Sequence, residues 1–151
     1  MRSALRLITC VSIFAAMACA ADDPGGGVDA GLSVSCREAV DHSDYAWLEA
    51  KVFQPSCGAF SACHKGAADD AMGLNLEAGQ ARGNLVGRPS QTRPGETLVV
   101  AGDPARSYLL VALGQRPGTL PPSGTMPVNS PTLCAEKRDA VERWIAAGAL
   151  P

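Results

Sequence analysis

The stretch from Cys57 to Lys65, Cys-Gly-Ala-Phe-Ser-Ala-Cys-His-Lys, constrains this chain more than any other. Two thiols, one of them next to an imidazole, are what covalent haem attachment needs. The sulfurs add to the haem vinyl groups, and His64 reaches the iron from one face. A thioether sulfur from a later loop can close the other face, and Met126, followed by Pro127, is the natural partner. The usual motif has two residues between the cysteines. Here there are five, so the loop must bulge for both Cys57 and Cys63 to reach one porphyrin. A single thioether through Cys63 is the other way to use the same residues.

The cysteines take their meaning from the compartment, and the N-terminus sets the compartment. Arg2 and Arg6 precede the apolar run Leu7–Met17, which is too short to span a membrane as a mature helix. Ala16-Met17-Ala18-Cys19 is similar to a bacterial lipobox, with Ala16 where Leu is usual. Residues 1–19 therefore read as a lipoprotein-type signal peptide with Cys19 as the lipidated residue. Ordinary cleavage near Ala18 or Ala20 is the alternative, and either route exports the protein to the periplasm or outer membrane. Cys36, Cys57, Cys63 and Cys134 then remain in a compartment that permits disulfides. Two disulfides can form, or one haem and a Cys36–Cys134 bridge.

Cys19 to Pro151 is 133 residues, with eleven basic and fifteen acidic side chains once Arg2 and Arg6 are gone. That length fits one domain. The acidic balance and the lack of a basic stripe exclude nucleic acid as a partner. Residues 20–35, with Asp22-Asp23-Pro24 and four glycines, form a flexible tether. The folded domain is 36–151. Within it a helix is predicted from Ser43 or Asp44 to Phe53, ending before Pro55. A short helix is expected between Leu74 and Val86, an extended piece at Leu98–Val100, and a helix from Asp103 to Leu113 with Gly114 as its stop. Gly118–Pro131 is too rich in proline for regular structure. Ala135–Ala147 is the clearest helix, with Val141, Trp144 and Ile145 on one face and Gly148 at its end.

An order of helix, Cys…Cys-His loop, Met-Pro loop and final helix with an aromatic resembles small class I c-type cytochromes. It is similar in particular to cytochrome c-like domains of exported proteins in myxobacteria and planctomycetes. The segments that carry the likeness are Val52–Cys57, Ala62–Gly66, Ala101–Pro104, Gly124–Pro127 and Trp144–Ala149. The resemblance implies an all-α cytochrome c-like domain with long Pro/Gly-rich loops. It implies haem c attached at Cys57 and Cys63, with His64 and Met126 as iron ligands, and electron transfer to a redox partner protein rather than enzymatic turnover. Trp144 would pack where the first and last helices meet. His42 is the only other imidazole and reads as a solvated residue before a helix, while Met72 follows His64 too soon to circle a porphyrin edge.

Bottom-up alternatives stand beside this. Cys57 and Cys63 could bond to each other and leave a haem-free, disulfide-stapled envelope module, monomeric and held to the membrane by its lipid. Cys57, Cys63 and His64 could take zinc, although no fourth ligand is evident. Arg82, Arg88, Arg93 and Arg106 could neutralise haem propionates, and nothing singles one out. With two histidines there is almost no material for a Ser-His-Asp triad, and there is no phosphate loop.

Overall fold

The computed structural model describes residues 31–66 and 71–151. The expected signal peptide, Cys19 and most of the expected tether lie outside the described residues. Those described are mostly helical, with no strand, as expected of an all-α domain. Pairing between extended pieces is limited to isolated bridges, Val86 with Val99, Pro89 with Thr97 and Thr97 with Ser107. No helix among them is long and apolar enough to cross a membrane.

Helix α1 (Val34–Glu38) starts at Ser33, whose hydroxyl accepts from the Cys36 amide at 3.3 Å. Helix α2 (Tyr45–Leu48) is capped as predicted by Asp44, whose carboxylate accepts from the Trp47 amide at 2.8 Å. It does not stop before Pro55. The chain continues as a π-helix over Glu49–Gly58, with Pro55 inside it. In an α-helix Pro55 would leave the Lys51 carbonyl without a donor and push its ring against that oxygen. The wider π coil makes room, and the Lys137 ammonium donates to the Lys51 carbonyl at 2.9 Å. The continuation brings the helix directly into Cys57.

Helix α3 (Ala81–Leu85) is the short helix expected there. The helix predicted from Asp103 is split. A 3-10 turn (Pro104–Arg106) is capped by Asp103 at 3.1 Å, and α4 (Tyr108–Ala112) follows after a break at Ser107. Ser107 is extended (φ −95°, ψ 104°). Its buried hydroxyl donates to the Asp103 carbonyl and accepts from the Val100 amide, bonds that hold it out of the helix. Helix α5 (Ala135–Ala146) ends where Gly148 takes φ +98°, and the Ala149 amide returns to the Trp144 carbonyl at 2.9 Å.

One core holds these pieces. Trp144 of α5 lies against Tyr45 of α2 (ring centroids 5.7 Å apart) and Phe53 of the π-helix (5.9 Å). Leu48, Val52, Leu85, Leu110, Val141 and Ile145 fill the space around them, each fully buried. Every such side chain contributes roughly 1.5–3 kcal/mol by leaving water. Trp144 therefore sits where the helix leading into Cys57 meets the last helix. The expected Cys36–Cys134 disulfide is present, with Cα atoms 6.2 Å apart, and it ties α1 to the start of α5.

Candidate functional site

The loop after the π-helix closes on itself. The Cys63 amide donates to the Phe60 carbonyl at 2.9 Å and the His64 amide to the Cys57 carbonyl at 3.0 Å, so the five intervening residues form a closed bulge. Cys57 packs partly buried on the core, whereas Phe60 at the tip of the bulge is 67% exposed. Cys57 and Cys63 are not bonded to each other in the structure. Burial pushes the Cys57 thiol up to about 12, and a negative charge on Cys63 would push the same way.

His64 is oriented by the segment that follows. Its Nδ1 lies 3.1 Å from the Leu74 carbonyl. A carbonyl only accepts, so Nδ1 carries the hydrogen and Nε2 holds the lone pair. Burial lowers the imidazole's pKa below its ordinary 6.5, against the opposing effect of the Leu74 bond, and favours the neutral ring. A neutral imidazole with Nδ1 fixed on a carbonyl and Nε2 unprotonated is the arrangement a metal-ligating histidine requires.

The Leu74–Glu77 segment sits close behind the loop because residue 58 is glycine. A Cβ there would lie 2.3 Å from the Leu76 carbonyl oxygen. The Leu76 amide donates to the His64 carbonyl at 2.7 Å, and Gln54 donates to the Leu76 carbonyl at 2.9 Å. A depression of about 560 Å³ opens over this junction, lined by Gln54, Gly58, Lys65, Asn75, Glu77 and Gln80 among others. None of the four predicted cofactor-binding residues forms part of its wall.

Met126 reaches the same core from the opposite end of the sequence. Its amide donates to the Ala112 carbonyl at 2.8 Å, and its half-buried side chain packs on the cluster that Cys57 and Leu74 also touch. Met72, by contrast, is 54% exposed. The structure joins Cys57, Cys63 and His64 in one closed loop and seats Met126 on the shared core.

Three other expectations are revised. Cys57, Cys63 and His64 do not converge as a metal cluster. Among the described residues the trio that does, within 4.8 Å, is Cys36, Cys134 and Glu136, and its sulfurs are bonded to each other. His42 is not merely solvated, because it stacks on Trp47 (4.7 Å, 7° between planes) and shares Nδ1 with Asp44 at 2.8 Å. Of the candidate arginines, Arg82 donates to the Ala149 carbonyl and Arg106 pairs with Asp103, so two already have partners.

Sequence reasoning missed Gly58 and the Leu74–Glu77 segment. Leu74 acts through its main-chain oxygen, which leaves no residue-type signature, and the need for glycine arises from a contact across the fold. No protein-family model, curated protein or solved structure matches the chain.

Proposed function

We propose that this protein is an exported, lipid-anchored electron-transfer protein of cytochrome c-like type that holds one covalent haem and passes electrons to a partner protein. The observation that carries the reading is the His64 loop: two thiols left unbonded in a domain with a disulfide elsewhere, beside an imidazole whose Nδ1 is consumed by Leu74. The side-chain chemistry suits the group: two thiols, an imidazole and a thioether. Cys57 and Cys63 would attach it by thioethers, His64 would hold the iron through Nε2, and the Met126 sulfur would be the second ligand. When bound, haem supplies a one-electron iron couple, and methionine ligation raises its potential. The chain's part would be to fix the imidazole through the Leu74 carbonyl and to offer the apolar core on which Cys57, Leu74 and Met126 pack.

The test is production with haem-attachment machinery, followed by the visible spectrum and the mass after denaturation. Haem retained through denaturation supports the reading, and its complete loss ends the covalent proposal. Met126→Ala is expected to change the low-spin spectrum, and an unchanged spectrum would remove Met126 as ligand.

The second reading is a haem-free envelope module, favoured by the Cys36–Cys134 staple. It predicts a colourless protein under the same conditions. Thiol counts with and without reductant then show whether Cys57 and Cys63 remain free.

A further inference from the structure

Leu74 lies in irregular chain, yet its carbonyl is held against His64. The Leu74 amide bonds to Ala71 at 3.0 Å, and the chain around it is gripped by side chains. Asn84 of α3 donates to the Asn75 carbonyl at 2.9 Å. One carboxylate oxygen of Glu77 accepts from the Gly66 amide at 3.0 Å and from the Asn75 side-chain amide at 3.2 Å. The Asn75 side-chain oxygen in turn accepts from the Glu77 amide at 2.9 Å. Gly66 is two residues beyond His64, and Asn75 is next to Leu74. Glu77 is therefore the side chain that links the end of the histidine loop to the strip of backbone behind the imidazole. A single oxygen shared by two donors fixes both segments at once. Charge-assisted bonds of this kind are about twice as strong as neutral ones.

We propose that Glu77, acting with Asn75, is a positioning residue for His64: its clasp holds the Leu74 carbonyl on Nδ1 and so keeps the imidazole in the tautomer that leaves Nε2 unprotonated. The importance of that nitrogen rests on the haem reading, whereas the tautomer itself is a property of the haem-free chain. Without the clasp, Leu74 moves off the ring, either nitrogen can carry the proton, and the fraction of chains ready to bind metal through Nε2 falls. Metal sites commonly lose 10–100-fold in affinity when such outer support is removed.

The experiment is side-chain ¹⁵N–¹H NMR of the haem-free full chain at about pH 8, above the ordinary imidazole range. With two histidines in the chain, a His42→Gln variant assigns the spectrum. The parent protein is expected to show His64 as the Nδ1–H form. Glu77→Ala is expected to raise the Nε2–H fraction several-fold. Glu77→Gln, whose amide oxygen still accepts both bonds, is expected to keep the parent tautomer. Should Glu77→Ala fail to fold, Asn84→Ala carries the test, because it removes one bond to the Asn75 backbone and leaves the loop alone. An unchanged tautomer in the folded variant overturns the proposal, as does a parent His64 already in the Nε2–H form. Failure to attach haem refutes the haem reading alone, because the tautomer is measured without it.

Discussion

Replacing Gly58 by alanine tests the packing behind His64. The backbone there is helical, within the Glu49–Gly58 π-helix, so alanine gains about 1 kcal/mol of propensity over glycine. Against that gain stands a fixed obstacle. The added Cβ would lie 2.3 Å from the Leu76 oxygen, 2.9 Å from its carbon and 3.3 Å from the Glu77 Cα, all backbone atoms that cannot rotate aside. Overpacking of this kind costs roughly 1–3 kcal/mol. Displacing Leu76 also weakens the bond it accepts from Gln54, worth about 1 kcal/mol. The net loss is roughly 1–3 kcal/mol, or about 4–12 °C in Tm for a domain of this size. Gly83→Ala is the matched control, since Gly83 lies inside α3 with nothing within 4 Å of its would-be Cβ. That change is expected to stabilise by up to about 1 kcal/mol. Thermal unfolding followed by far-UV circular dichroism of both variants reads the difference. A Gly58→Ala protein as stable as the parent would refute the close seating of Leu76 on the loop.

Removing the Cys36–Cys134 bridge by a double change to alanine is expected to cost about 4.7 kcal/mol in the chain-entropy picture, because the loop it closes spans a sequence separation of 98; urea denaturation measures it. Tyr45 donates to Glu49 at 2.7 Å and accepts from the Arg82 amide at 2.9 Å. Burial, then the Glu49 bond, pushes its pKa from 10.0 to about 12. Its contribution is therefore complete below pH 10 and is lost as pH rises through 12, so Tyr45→Phe should flatten stability over that window in pH-dependent melts. Asp44→Ala removes the cap of α2 and is expected to cost about 1 kcal/mol, readable by the same melts.

Legibility from sequence tracked the range of the interactions. Asp44, Asp103, Gly114 and Gly148 act on neighbours within a turn or two, and each stands at the helix boundary where a reader would place it. Trp144 and the Cys36–Cys134 pair are legible because helical periodicity and the expectation of export point to them without knowledge of the fold. Pro55 was misread as a stop. The helix instead runs on through Pro55 as a π-helix to Gly58, and the Lys51 carbonyl in that stretch accepts from Lys137, 86 residues away in sequence. Ser107 splits a predicted helix because its hydroxyl bonds the Val100 amide and the Asp103 carbonyl. At the candidate site the cysteines and histidine were visible as chemistry. The glycine and carboxylate that set the imidazole's orientation act through backbone contacts that no local pattern encodes.

The sulfur–sulfur link between Cys36 and Cys134 makes a covalent ring of everything between them. Cys57, Cys63, His64 and Met126 all lie inside that ring. A protease that nicks the proline-rich turn around Met126 would therefore release nothing: the two pieces would run as one band until a reductant parted them. The histidine and methionine strands would stay joined even after the backbone between them was cut.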